Sequence, residues 1–230
     1  MMKKSKWPLW IAGLLVFAQL VLAQNVKLAK IALGMSETDV RAALSSNSPF
    51  YINQPSDSPD LHYLVAEAET ESMAFAFIDG KVSAFSVTHI LPPGQLPFLP
   101  PGQQPTVPIL RGLITKQTWA PTEINKGDTW WFSDATGAPL SNASQQCRPE
   151  SGDAWAPFGA VPGAKASEPP AKSIEGLMKP SFTSYPSNCG VSIHLSETPA
   201  ESEDSVVTVV RYQVLDIKAM NAFLQKHGQR

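Results

Sequence analysis

Residues 61–90 read LHYLVAEAETESMAFAFIDGKVSAFSVTHI, and their alternation of apolar and other side chains with a period of two decides the fold class. Segments 61–68, 73–78 and 81–90 are predicted to form three antiparallel strands, joined by residues 69–72 and by a turn at Asp79-Gly80. Side-chain parity constrains that turn. A two-residue loop would pair Ile78 with Lys81 and set Met73, Phe75 and Phe77 on the opposite face from Phe85 and Val87. A three-residue loop with Gly80 left-handed puts all five on one side, so the three-residue loop is expected. The same alternation brings Glu67, Glu69 and Glu71 together at a sheet edge, where their reading is a solvated charged face.

Upstream of this meander, Ser36 is placed to cap a helix, with Asp39 at the position that answers it in a capping box and with Met35 and Val40 as a hydrophobic staple. Val40, Ala43 and Leu44 continue one apolar face, which predicts a helix from Glu37 to about Ser45. Residues 45–59 are rich in Ser, Asn, Pro and Asp and read as a loop, with at most a turn of helix at Phe50-Tyr51. At the start of the chain, Lys3, Lys4 and Lys6 precede an uncharged run from Trp7 to Ala23, closing on Val21-Leu22-Ala23 in the small-x-small pattern of a signal-peptidase site. Residues 1–23 are therefore read as an export signal; the alternative is an uncleaved helical anchor, since the run approaches the length that crosses a bilayer.

Downstream, residues 92–108 hold seven prolines and the near-repeat Pro92-Pro93-Gly94-Gln95 and Pro100-Pro101-Gly102-Gln103. Missing backbone donors and fixed φ angles predict an extended connector and a domain boundary. Beyond it, Asp128–Ser133 reads as a strand followed by a turn through Gly137, and Val191–Leu195 with Val206–Leu215 as a pair of strands around an acidic loop. Asp216 can cap a closing helix with Met220, Phe223 and Leu224 as its apolar stripe and Lys226-His227-Gly228 at its end. Between these, residues 141–186 carry no clear element. In an exported chain the two cysteines, Cys147 and Cys189, are expected to pair as a disulfide, which in the chain-entropy model contributes roughly 4 kcal/mol.

The organisation that follows is a signal at 1–23, a helix-plus-meander domain at 24–91, a Pro-rich linker at 92–108 and a disulfide-closed β-rich domain with a C-terminal helix at 109–230, an α+β protein overall.

Composition excludes several functions. The formal net charge is −2, part of the positive charge sits in the leader, and no other run holds more than two adjacent Lys or Arg. A nucleic-acid partner, which requires a basic stripe, and adhesion to an anionic membrane surface are set aside. The four histidines, 62, 89, 194 and 227, are scattered without the short spacings of a zinc site, and no metal or cofactor is expected. Nucleophile elbows, zinc helices and phosphate loops are absent from the sequence, so the expectation is a protein that is not an enzyme. His194, in the strand near Cys189, is the histidine to consider for a non-local hydrolase site; the simpler reading is a strand residue facing solvent. Trp119, Trp130, Trp131 and Trp155 fall in a short window, and the adjacent pair Trp130-Trp131 must point to opposite faces of a strand. They are candidate binding residues, for a glycan or a protein partner, against the default of core packing. Asn142-Ala143-Ser144 matches a glycosylation sequon, meaningful only in a eukaryotic secretory pathway.

The succession Leu33-Gly34-Met35-Ser36, a capped helix with Val40 and Leu44, then a sheet carrying Phe77-Ile78-Asp79-Gly80-Lys81-Val82, resembles the BamE/SmpA-like outer-membrane-assembly lipoproteins and the repeats of secreted β-lactamase inhibitory proteins. The resemblance covers residues 31–90. It implies a periplasmic or secreted protein that works by binding an envelope or secreted partner. Gln24 stands where the lipoproteins carry a lipidated cysteine, so a lipid anchor is not implied.

Overall fold

The computed structural model describes residues 31–44, 50–55, 60–67, 71–90, 103–125, 127–141, 147–148, 185–198, 202 and 206–227. The predicted signal, most of the Pro-rich connector, Glu69, Asn142 and Trp155 lie outside these residues. Helix α1 spans Glu37–Leu44. The Asp39 amide donates to Ser36 Oγ at 3.2 Å, and the Ser36 amide donates back to Asp39 Oδ2 at 3.4 Å, the reciprocal bonds of a capping box. Val40 and Leu44 are the buried face of α1, and Met35 packs on the same core.

The meander consists of β2 (Leu61–Glu67), β3 (Glu71–Ile78) and β4 (Lys81–Ile90). Within the segment expected to be a loop, strand β1 (Phe50–Pro55) precedes the meander and pairs antiparallel with β2 along its whole length. The β-branched and aromatic residues of Phe50-Tyr51-Ile52 take that edge despite polar neighbours on either side. The turn between β3 and β4 also differs from expectation. Ile78 pairs directly with Lys81, so the loop has two residues, and both Asp79 (φ 50°) and Gly80 (φ 72°) are left-handed, as a type I′ hairpin requires. Parity is restored inside β4 instead. Phe77 pairs with Val82 but Ala76 pairs with Ala84, so Ser83 is an extra residue in a β-bulge. Met73, Phe75, Phe77, Phe85 and Val87 therefore share one face as expected, with the additional residue at 83 rather than in the turn.

In the second half, helix α2 spans Val107–Gln117 with Pro108 in its first turn, where a missing amide hydrogen costs nothing. Strands β5 (Glu123–Asn125), β6 (Asp128–Asp134), β7 (Cys189–Thr198) and β8 (Val209–Asp216) follow, then α3 (Ile217–His227). The Ala219 amide donates to Asp216 Oδ1 at 2.9 Å, the predicted cap of α3. Cys147 and Cys189 form the expected disulfide.

Strands from both sides of the Pro-rich segment join one sheet. Its order is β1-β2-β3-β4-β8-β7-β6-β5, antiparallel throughout, with Ala84–Ile90 of β4 paired to Val209–Leu215 of β8. Residues 82–88 of β4 are buried on both faces, the pattern of a central strand. One face, called A here, carries Phe75, Phe85, Val214, Ile193 and Trp131 in consecutive register and is covered by α1 and α2 through Val40, Leu44, Leu110 and Ile114. The opposite face, B, carries Ala76, Ala84, Leu215 and Phe132 and is covered by Ile217, Met220, Phe223 and Leu224 of α3. Burying each of these large side chains contributes about 1.5–3 kcal/mol. Among the described residues, no helix is long and apolar enough to cross a membrane.

Candidate functional site

Face B changes character along the strands. Two residues beyond the apolar row under α3, register places Ser86 of β4, Gln213 of β8, His194 of β7 and Trp130 of β6 side by side. The next row on the same face is Thr88, Arg211, Ser196 and Asp128. Four adjacent strands thus present an eight-residue block in which every side chain is polar except the indole of Trp130. Ser86, Thr88 and Gln213 are buried, while Arg211, His194, Ser196 and Asp128 are half-buried. Burying hydroxyls, an amide and charges in the middle of a sheet costs free energy unless they are hydrogen-bonded, so the block is not explained by packing.

His194 is its centre. Nε2 lies 2.6 Å from Asp128 Oδ1 and Nδ1 lies 3.0 Å from Gln213 Oε1. The two contacts hold the ring between strands β6 and β8 from both of its nitrogens. The ring stacks on Trp130 at 3.8 Å between centroids and 8° between planes. The hydrogen bond from His194 holds the Asp128 carboxyl below the usual carboxylate range, against the opposing effect of burial; Arg148 and Ser196 act in the same direction as His194. Trp130 also stacks on Phe132 at 5.6 Å, and the Arg148 guanidinium lies 5.0 Å from the indole centroid, a cation–π distance. Arg148 is placed by the neighbouring Cys147–Cys189 disulfide and by Glu123 on β5, 3.3 Å from its Nη1. His194 is therefore half-buried and clamped rather than facing solvent, with both ring nitrogens engaged by Asp128 and Gln213.

Trp119, Trp130 and Trp131, the described members of the tryptophan group, do not share one face. Trp130 lies under face B and Trp131 under face A, both buried, because both faces of β6 are covered. Trp119 is half-buried against the face A core. Of the three described tryptophans, Trp130 alone belongs to the polar block; Trp155 lies outside the described residues. Two other histidines tie elements together elsewhere. His62 Nε2 meets Glu37 Oε2 at 2.8 Å, linking β2 to α1, and His227 Nε2 lies 3.0 Å from Asp60 Oδ2, linking α3 to the start of β2. No group of three or more metal-ligating side chains occurs among the described residues. A cavity of about 10 Å³ between α2 and strands β4, β7 and β8 has room for about one water.

His194 and Trp130 stand out in the sequence, whereas Ser86, Thr88, Arg211 and Gln213 do not. The available signal was local: Ser86-Thr88 and Arg211-Gln213 are polar pairs two residues apart inside strands that are otherwise apolar. Their significance depends on the β4–β8 pairing, which no short-range pattern specifies. Comparison of the chain with protein-family models, with curated proteins and with solved structures finds no match.

Proposed function

We propose that this chain is an exported, non-catalytic binding protein of the bacterial envelope, which recognises a protein partner through the half-buried members of the polar block of face B, Arg211, Ser196, Asp128 and His194. The observation that carries this reading is the clamped His194, held by Asp128, Gln213 and Trp130 in one geometry. A ring locked on both nitrogens and one face suits presentation of a fixed polar surface better than proton transfer, for which a nitrogen must reach substrate. Export is supported by the basic, apolar leader at 1–23 and by the Cys147–Cys189 disulfide, which suits an oxidising compartment. The resemblance of residues 31–90 to envelope-assembly lipoproteins points the same way. Glycan stacking draws less support, because Trp130 and Trp131 are buried.

Site-specific cross-linking in cells tests the reading. A photo-activated residue replacing half-buried Ser196 in the block is expected to give a discrete adduct with a processed, exported chain, and one replacing exposed Ala222 on α3 is not. Recovery of unprocessed chain in the cytoplasm with both thiols free, or absence of a Ser196 adduct, would refute it.

A further inference from the structure

Within the block the charges are unevenly satisfied. His194 is paired with Asp128, and Arg148 with Glu123. Arg211 is in no ion pair among the described residues, and its Nε is buried without a hydrogen-bond acceptor. One strand over, Ser86 is 1 % exposed and its Oγ likewise has no partner. Register sets Arg211 opposite Thr88 and Gln213 opposite Ser86, so Arg211 and Ser86 are diagonal neighbours on one face, within reach of a long side chain. The Nε of a half-buried, always charged guanidinium and a buried hydroxyl, both lacking acceptors, form a corner that is costly by itself and is completed by oxygen lone pairs.

We infer that the Arg211–Ser86 corner of face B binds an oxyanion, a carboxylate or phosphate group, with the guanidinium supplying charge and the Ser86 hydroxyl a further hydrogen bond. Asp128 already lies against His194, and Arg148 beside the block is paired with Glu123, so an anion meets Arg211 without displacing an existing ion pair. This deepens the binding reading above: the partner would present the oxyanion to this corner.

The test uses the full-length exported chain, titrated separately with sodium phosphate and sodium acetate at constant ionic strength and followed by calorimetry and by tryptophan fluorescence. Saturable binding of one anion is expected, weakened about tenfold or more in Arg211→Gln, as loss of a charged hydrogen bond implies, and several-fold in Ser86→Ala. It is expected to be unchanged in Lys218→Gln, on the exposed side of α3. Saturation by phosphate alone identifies a phosphate ligand, and by acetate alone a carboxylate. If Arg211→Gln does not fold, Arg211→Lys replaces it, keeping the charge but losing the planar fork. Absence of saturation by either anion, or equal affinity in the Arg211 variant, would overturn the inference. A Ser196 cross-link that persists in that case leaves the binding reading standing without the oxyanion.

Discussion

At the scale of single residues, backbone approach and side-chain pairing make different demands. Gly190 follows the disulfide, where β6 bulges between Phe132 and Asp134 and Ser133 Oγ accepts from the Val191 amide at 2.9 Å. A Cβ on Gly190 would overlap the Asp134 carbonyl oxygen, a backbone atom that cannot rotate away. Gly190→Ala is accordingly expected to destabilise the fold by about 2–3 kcal/mol, as overpacking does, measured by urea unfolding. Asp128 makes a pH-dependent prediction. Its folded-state carboxyl is depressed, first by the His194 hydrogen bond, so its contribution is present above the unfolded value of about 3.9 and is lost as pH falls through the folded value. Asp128→Asn should cost about 0.5–1 kcal/mol at pH 6, a figure discounted for the exposure of the carboxylate, and should flatten the acid limb of the stability profile below about pH 4. An unchanged acid limb would mean that the His194 pair carries no folding energy. His194 was visible in the sequence as a residue to consider, but its state was not, because Asp128 and Gln213 come to it from separate strands.

At the scale of elements, the β3–β4 hairpin shows how parity can be specified without the turn that first suggests it. Phe75 and Phe85 must share face A, and the sequence needs one extra residue to bring them there. That residue could sit in the turn or in the strand, and hydrophobic alternation does not distinguish the two. Asp79-Gly80 favours the two-residue turn because both positions tolerate positive φ, which moves the bulge to Ser83. Deleting Ser83 should therefore leave the ladder in register and cost only about 1 kcal/mol, whereas deleting Ala74 flips Met73 and the preceding part of β3 and should abolish folding. Circular dichroism with urea titration distinguishes them, and equal damage from both deletions would contradict the bulge assignment. Helix α1 and its cap were legible because every signal lies within a few residues. Helix α2 was not, since a proline-rich approach obscures a helix whose first turn accommodates Pro108. The disulfide was legible from cysteine count and compartment. Replacing Cys147 and Cys189 together by Ser should cost about 4 kcal/mol in the chain-entropy model and loosen Arg148 from Trp130, seen as a change in tryptophan emission.

At the scale of the whole molecule, the pairing of β4 with β8 organises everything else. The segments on either side of the proline-rich stretch read as separate units along the chain, because each has its own helix and its own alternating strands. Residues 84–90 nevertheless find 209–215, and that long-range contact was illegible: β4 is buried on both faces, so its pattern shows that it has two neighbours but not which strand is the second. The same pairing sets Ser86 and Thr88 beside Gln213 and Arg211 and so creates the polar block from residues of both segments. Native-state hydrogen exchange tests this claim most directly. Amides of Ala84–Ile90 and Val209–Leu215 are expected to be protected to the same, global free energy of unfolding and to exchange as one cooperative unit. Separate opening free energies for the two strands, with 61–90 exchanging independently of 189–216, would contradict it.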